Sequence, residues 1–270
     1  MPDAQWCARP SHPNMFLKEY FKQINAPQGN GERSDHVKPY QSSVPHIGQY
    51  VNQVFIGDCV QVMKYFPSQS IGAVITDPPY LVNYHSRDGR NYRNDDPNKP
   101  WWVAPAFAEI YRMLKDNSFC ISFYGWTQVE HFMTAWKQVG FRPVGHIVFA
   151  KDYPSSEGVM KAHHEQAYVL AKGKPFTQHR LPDVQPFFYT GNKLHPSEKH
   201  PDTLRPLVEA FSKPDDIVLD PFAGSGSTLV AARQAGRKYI GVELDATHAQ
   251  TASDRAYQHR QQQQPYNERL

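Results

Sequence analysis

The sequence predicts an α/β protein built on a doubly wound, mostly parallel sheet of seven strands, which is a Rossmann-like fold. Seven short apolar runs occur, and most are continuous, as expected for strands that are buried on both faces. Helical patterns alternate with these runs, and the alternation is typical of one doubly wound domain. The predicted strands cover residues 54–56, 73–75, 119–123, 146–149, 166–170, 217–219 and 239–242.

Helices are predicted where apolar residues recur at i, i+3, i+4 and i+7. This spacing occurs at 107–114, 129–136 and 204–211, and a fourth helix is expected at 228–235. For the second of these helices, Thr127 and Glu130 predict a capping box, and Gly140 stands where a C′ glycine is expected.

Composition restricts the class of protein. The chain has 270 residues, and its 40% apolar content is sufficient for a normal core. It contains no apolar run long enough to span a membrane and no secretory signal, so we expect a cytoplasmic protein. The three cysteines and thirteen histidines lack metal-binding spacing, which predicts no metal site. The net charge of +3 permits a nucleic-acid partner without requiring one.

Three regions do not follow the alternation of strands and helices. Residues 1–50 are predicted to form an arm that packs on the main domain, residues 51–255, or on a second copy of the chain. Residues 84–100 form a polar insertion. Residues 256–270 are low in complexity and are predicted to be a disordered tail.

The run 73–75 is followed by Asp77, Pro78, Pro79 and Tyr80. Two prolines remove two backbone donors and fix two φ angles, so this loop is stiff. The Asp77 carboxylate and the Pro78 carbonyl can accept hydrogen bonds, and the ring of Tyr80 offers a stacking face. This set suits a planar group with N–H donors on its edge, although an ordinary strand-ending turn is the alternative.

The run 217–219 leads into Asp220 and a turn that contains Gly224 and Gly226, followed by a helix. Such a turn lets the backbone approach a ligand closely. The next strand ends on Glu243, where a ribose diol would bind, and an earlier strand is followed by Asp58. Asp58 could contact an adenine amino group or could cap a helix. The set predicts a site for an adenosine with a zwitterionic tail, which S-adenosylmethionine fits better than NAD.

The combination of motifs resembles the amino-group DNA methyltransferases of the N6-adenine and N4-cytosine type. The motifs are DPPY at 77–80, HPSEKHP at 195–201, DPFAGSGST at 220–228 and RKYIGVELD at 237–245. Because DPPY precedes the glycine loop, the order resembles that of the permuted beta group. The resemblance covers residues 52–250 and implies the sheet of an S-adenosylmethionine-dependent methyltransferase.

The resemblance also implies roles for single residues. Asp77, Pro78, Pro79 and Tyr80 would hold the amino group of a flipped target base for direct methyl transfer. Lys199 would pair with the cofactor carboxylate, and a surface-exposed lysine is the alternative. The segment departs from the usual HPTQKP by having His200 in place of proline. The full set implied to bind S-adenosylmethionine is Asp58, Asp77, Lys199, Asp220, Phe222, Ala223, Gly224, Ser225, Gly226 and Glu243.

The implied substrate is double-stranded DNA in a prokaryotic cell or in the host of a phage or mobile element. Adenine is favoured because N4-cytosine enzymes more often begin this loop with serine. The alternatives are an N4-cytosine enzyme, an RNA-directed enzyme and a DNA-binding protein that no longer catalyses. The resemblance also allows two protein partners, a second copy of the chain in a homodimer and a separate restriction endonuclease.

DNA contacts are predicted in the parts that lie outside the sheet, namely 84–100, 151–164 and 173–193. These segments combine basic and aromatic residues, as phosphate contact with some base contact requires. A solvated surface charge is the alternative for each cation. The basic residues are Arg87, Arg90, Arg93, Lys151, Lys161, Lys174, Arg180 and Lys193.

Overall fold

The computed structural model describes residues 46–83, 94–154, 159–189, 191 and 198–263, with side chains through residue 258. Eight strands within these ranges form one sheet, and the α/β fold is confirmed. The strands are β1 Gln53–Ile56, β2 Ile71–Thr76, β3 Leu114–Phe123, β4 Arg142–Ala150, β5 His164–Lys172, β6 Val184–Pro186, β7 Ile217–Asp220 and β8 Lys238–Glu243. Their order across the sheet is β1-β8-β7-β2-β3-β5-β4-β6.

Each of the seven predicted strands lies within an observed strand, but the predicted count was one too low. The additional strand, β6, has only three residues and pairs in parallel with β4. Of its side chains only that of Gln185 is buried, so β6 carries no apolar run that could reveal it. It lies inside the segment 173–193, which was predicted to be a recognition insertion.

The sheet is mostly parallel, with β5 antiparallel to both of its neighbours, β3 and β4. The carboxyl ends of β1, β8, β7, β2 and β3 therefore lie along one edge. Because β5 runs in the opposite direction, its first residues lie at that same edge. Phe123 at the end of β3 pairs with Ala167 near the start of β5.

Six helices of the described ranges cover the sheet. They are α1 Cys59–Met63, α2 Val103–Met113, α3 Val129–Val139, α4 Pro201–Phe211, α5 Ser227–Gln234 and α6 Ala246–Gln263. One core cluster contains residues of α1, α2 and α3, and the other contains residues of α4, α5 and α6. Strand β2 contributes to both clusters, Val74 to the first and Ile75 to the second. The sheet is thus covered on both faces, as a doubly wound fold requires.

The predicted capping box at the start of α3 was wrong. Thr127 lies inside a 3-10 helix, Trp126–Gln128, and the N-cap residue is Gln128, whose side chain makes no capping hydrogen bond. The other end of α3 was predicted correctly. Gly140 adopts a φ of 105°, and its N–H donates to carbonyl groups of the last helical turn.

The predicted disordered tail starts too early, because α6 continues through residues 256–263. Ala249, Ala252 and Ala256 recur at helical spacing and are buried, which anchors the helix despite its polar composition. Gln and Arg are also good helix formers, so a glutamine-rich run is compatible with a helix. Residues 264–270 lie outside the described residues.

Several predicted regions lie wholly or partly outside the described residues. The arm lies outside the described residues up to position 45, and residues 47–50 form a short 3-10 helix, Ile47–Tyr50. Residues 84–93, 155–158, 190 and 192–197 also lie outside, and with them Arg87, Arg90, Arg93 and Lys193. Among the helices that the structure describes, none has the length and apolar character needed to cross a membrane.

We expect Trp136→Ala to destabilise the protein by about 3–5 kcal/mol, because it leaves a large cavity in a packed core. Trp136 is fully buried on α3. Its ring lies 5.7 Å from that of Phe107 and 5.5 Å from that of Tyr168, measured between centroids. The measurement is the free energy of unfolding in urea. Trp126→Ala is the matched control, since Trp126 is 72% exposed and its loss should change stability by at most about 0.5 kcal/mol.

Candidate active site

The DPPY loop and the glycine loop leave the same edge of the sheet from neighbouring strands. β2 and β7 are parallel, and Val74 pairs with Leu219. Where these strands end, the hydroxyl of Thr76 donates to Oδ1 of Asp220 at 2.9 Å, although the two residues are 144 positions apart. Two motifs distant in sequence are therefore joined by one buried hydrogen bond.

The DPPY loop is held in a defined shape. The hydroxyl of Tyr80 donates to Oδ1 of Asp77 at 2.7 Å. Gly125 makes room for the loop, because a Cβ at that position would lie 2.7 Å from the Tyr80 carbonyl oxygen. Leu81, fully buried, adopts a φ of 60°, which is a strained value for a residue of this size. Pro78 is buried and Pro79 half-buried.

The carboxylate of this loop belongs to a cluster of four charged side chains. The ammonium of Lys199, whose side chain is 4% exposed, pairs with Oδ2 of Asp77 and lies 3.1 Å from Oε2 of Glu165. On its other side Glu165 accepts from Nζ of Lys151 at 2.6 Å. The Lys199 ammonium also lies 4.3 Å from the centroid of the Phe123 ring. Two carboxylates and two ammonium groups thus lie together, and their charges cancel.

The two carboxylates of the cluster differ in acidity. Burial raises the pKa of Asp77, and the positive charge of Lys199 opposes this effect. Burial also favours protonation of Glu165, but the ammonium groups of Lys199 and Lys151 outweigh it and lower the pKa of Glu165 to about 2. Burial opposes the charge of Lys199, yet the two carboxylates raise its pKa. Glu165 and Lys199 are therefore both charged at neutral pH.

The glycine loop is closely packed on α6. Gly226 adopts a φ of 85°, and a Cβ there would lie 2.8 Å from the backbone of Ala252. Gly224, with a φ of 51°, donates its N–H to Oε2 of Glu243 at 2.8 Å. Ala223 donates its N–H to the carbonyl of Val242 at 2.9 Å. These bonds tie the loop to the end of β8.

Arg255 on α6 ties the glycine loop to the HPSEKHP segment. Its guanidinium donates to the carbonyl of Ser225 at 2.7 Å and lies 2.9 Å from Oε1 of Glu198. The next residue but one, His200, accepts the Asp202 N–H through Nδ1 at 3.2 Å and so caps α4. The departure from the usual proline at this position therefore has a structural role.

Asp220 is a buried carboxyl between the two loops. Its Oδ1 accepts from Thr76 and from the N–H of Phe222, the latter at 3.1 Å. Burial raises the pKa of Asp220 to about 7, although these hydrogen bonds oppose the shift. Phe222 packs against Trp102 with the ring centroids 5.3 Å apart.

The remaining predicted acids lie farther along the same edge. Glu243 ends β8, and its Oε1 accepts the N–H of Asp245 at 2.9 Å. β1 lies beside β8, and Asp58 follows it as the N-cap of α1, accepting the Gln61 N–H at 3.1 Å. The helix-cap alternative for Asp58 is therefore confirmed. Each carboxylate oxygen has a second lone pair that can still accept from a ligand.

Two predictions about lysines do not match the structure. The surface-exposed alternative for Lys199 was wrong, because its side chain is buried, and its ammonium contacts the DPPY carboxylate. Lys151, predicted as a phosphate contact, is buried against Glu165, and that prediction was wrong. Lys161, Lys174 and Arg180 are exposed.

Glu165 and Arg255 are site residues that sequence reasoning missed. Glu165 precedes a predicted strand, and only the reversed direction of β5 brings it to Asp77. The available signal was a charged residue directly before an apolar run. Solvent-exposed charged residues also occur at that position, so the signal does not single out a site residue. Arg255 lies in a polar segment that was predicted to be the end of the domain.

Comparison with known proteins identifies the family. The family model described as DNA methylase, of the N6 and N4 type, matches residues 71–254. YubD of Escherichia coli strain K12, named as a methylase, is 52% identical over 189 residues, which span 70% of this chain and 82% of YubD. YhdJ of the same strain, named as a DNA adenine methyltransferase, is 26% identical over 251 residues, 74% of this chain and 81% of YhdJ.

Solved structures share the fold. TTHA0409 of Thermus thermophilus, a DNA modification methylase by name and solved with S-adenosyl-L-methionine, superposes with a TM-score of 0.61 at 23% identity over 77% of this chain and 93% of its own. The PvuII DNA methyltransferase, named as cytosine-N4-specific, superposes with a TM-score of 0.61 at 18% identity. The match covers 76% of this chain and 85% of the PvuII enzyme. With the family model matching more than half of its length, the chain belongs to the N6 and N4 DNA methylases.

Proposed function

We propose that this DNA methyltransferase transfers a methyl group from S-adenosylmethionine to the N6 amino group of adenine in double-stranded DNA. The observation that carries the proposal is the juxtaposition of the two loops at the ends of β2 and β7. The loop after β2 carries the Asp77 carboxylate and the Tyr80 ring, and the loop after β7 is the glycine loop. A hydrogen bond between Thr76 and Asp220 joins the two loops. The order of these loops in the chain supports membership of the permuted beta group.

The residues at the carboxyl edge fit the cofactor. The glycine loop, closely packed beneath by Ala252, allows the backbone to approach a ligand. Glu243, at the end of β8, would accept from a ribose diol. Asp58, which follows the adjoining strand β1, would accept from the adenine amino group. Asp220, Phe222, Gly224 and Gly226 would face the methionine portion. When bound, S-adenosylmethionine supplies an electrophilic methyl group carried on a sulfonium.

The DPPY loop would hold the base. An exocyclic amine is a poor nucleophile because its lone pair is delocalised into the ring. Two acceptors on its hydrogens, the Asp77 carboxylate and the Pro78 carbonyl, would turn that lone pair toward the methyl group. Tyr80 would stack on the base, and Pro79 stiffens the loop. The amino nitrogen would gain the methyl carbon as the carbon–sulfur bond breaks with its electrons left on sulfur, and one N–H proton would then be released to water.

A base inside a duplex cannot reach this loop, so the enzyme must flip it out, which costs a few kcal/mol. Exposed Lys161, Lys174 and Arg180 lie in segments that could contact the DNA backbone. A homodimer, a separate restriction endonuclease and a cytoplasmic location stay predictions.

Adenine is the proposed base because the loop begins with aspartate and because YhdJ is named as an adenine enzyme. N4-cytosine is the second candidate, since the PvuII enzyme on the same fold is named as cytosine-specific. Incubation with S-adenosylmethionine and unmodified genomic DNA, followed by mass spectrometry of the nucleosides, separates the two. N6-methyladenine is the expected product, whereas N4-methylcytosine would correct the base.

We expect Asp77→Asn to slow methyl transfer by at least about a hundredfold, because it removes the charged acceptor from the target amino group. Affinity for S-adenosylmethionine, measured by calorimetry, should fall much less. Asp116→Asn is the matched control, since Asp116 is exposed and pairs with Lys172 at the opposite edge of the sheet. Full activity of the Asp77 variant would contradict its assigned role.

We expect Gly226→Ala to weaken S-adenosylmethionine binding by at least about tenfold, because the added methyl group collides with Ala252 and displaces the loop. Gly236→Ala separates this effect from backbone strain. Gly236 also has a positive φ, 72°, but a Cβ there meets nothing within 4 Å. Both variants should lose about 1 kcal/mol of stability from left-handed backbone. Equal cofactor affinity in the two would show that the close approach at Gly226 is unimportant.

A further inference from the structure

We infer that Lys199 is a positioning residue for the Asp77 carboxylate, and that Glu165, anchored by Lys151, fixes Lys199 in that place. The inference rests on the proposed function, because it concerns the same loop. It differs from the expected role of Lys199 as partner of the cofactor carboxylate. Three contacts carry it: Lys199 with Asp77, Lys199 with Glu165, and Glu165 with Lys151.

Lys199 does not block the acceptor that it holds. Oδ1 of Asp77 accepts from Tyr80 and Oδ2 accepts from Lys199, and each oxygen keeps a second lone pair. The Asp77 side chain is 23% exposed, so part of it is open to solvent. A target amino group can therefore donate to Asp77 while Lys199 stays in place.

Glu165 is needed because a lysine side chain has a flexible four-carbon stem. The ammonium of Lys199 lies between two carboxylates, with the Phe123 ring as a third contact at 4.3 Å. Glu165 is fixed in turn by Lys151 at 2.6 Å. Strands β4 and β5 pair along their length. They thus set the position of Asp77, which follows β2, through two ion pairs, Glu165 with Lys199 and Lys199 with Asp77.

The contribution of Lys199 is to keep Asp77 ionised. Only the carboxylate form can accept both the Lys199 and the base N–H bonds in this arrangement, whereas burial favours the protonated form. Several other groups face Asp77 and act on its charge. They are Tyr80 from the same loop, Glu165 from β5, Asp220 from β7 and, beyond Glu165, Lys151 after β4.

The sign of each change follows from these charges. Lys199→Gln removes the positive charge that lowers the pKa of Asp77 and leaves burial and Glu165, which raise it. The carboxylate form would then exist only at higher pH. Adding Glu165→Gln removes one of the raising charges and leaves Lys151 positive. The pKa of Asp77 should therefore fall again in the double variant.

The experiment measures single-turnover transfer of a tritiated methyl group to unmodified DNA between about pH 5.5 and 9.5, with the full chain and saturating S-adenosylmethionine. For Lys199→Gln we expect the acid-side midpoint of the rate–pH profile to move up by at least about one pH unit. Below the midpoint, the transfer rate at a given pH should then fall about tenfold. The double variant should recover part of that shift. Lys115→Gln, which removes an exposed ion pair with Asp216, should leave the profile unchanged.

Other outcomes would overturn the inference. An equal loss of rate at every pH would mean that Lys199 only supports the fold. A double variant with the midpoint of the single one would mean that Glu165 does not act on the charge of Asp77, which would remove Glu165 from the inference. A rise in KM for S-adenosylmethionine with an unmoved midpoint would return Lys199 to the cofactor carboxylate. Melting temperatures check that each variant is folded.

Failure of the inference and of the proposed function can be told apart. The tritium assay counts transfer to either base, while mass spectrometry of the same product identifies that base. N4-methylcytosine would correct the function and leave the pH result valid. Titration of the Asp77 carboxyl by carbon NMR, in the wild type and in Lys199→Gln, tests the pKa change without turnover, and equal midpoints would refute the inference.

Discussion

The arrangement of the DPPY loop depends on one buried ammonium group, that of Lys199, which lies between the carboxylates of Asp77 and Glu165. Removing one partner of such a set leaves an uncompensated charge and costs about 3–5 kcal/mol. Lys199 reaches this place on the HPSEKHP segment, and the residue before it, Glu198, is tied to Arg255 and through it to Ser225. Neighbouring residues of one segment therefore bind the DPPY loop and the glycine loop. The segment thus links the proposed base site to the proposed cofactor site.

The direction of each strand decides which side chains can meet. Four parallel strands, β1, β8, β7 and β2, bring acids to one edge of the sheet, as in other doubly wound folds. Among the described strands, β5 runs in the opposite direction and contributes its beginning to that edge instead. It thereby supplies Glu165, whose pKa is lowered to about 2, beside Asp77, whose pKa burial raises. Carboxylates with such different environments can take different roles.

Sequence patterns predicted what depends on neighbours along the chain. Continuous apolar runs revealed seven strands, and strand-loop motifs revealed the acid that follows β2 and the acids that end β7 and β8. What they missed depends on neighbours in space. β6 has a single buried side chain, and Glu165 and Lys151 meet only because β4 and β5 pair beside β3. The capping residue of α3 was misread because a 3-10 turn precedes the helix, and that turn has no apolar period of its own.

The link between Thr76 and Asp220 also has a consequence for how the protein is made. All six residues of β2 are buried, yet β7, which pairs with one side of it, is synthesised 144 residues later. At about 5–20 residues per second, roughly 7–30 s pass between the two. Until then one side of an apolar strand presents unpaired N–H and carbonyl groups, which can pair with another chain. The edge of β2 that faces β7 therefore stays open to pairing with another chain until residues 217–220 have been made.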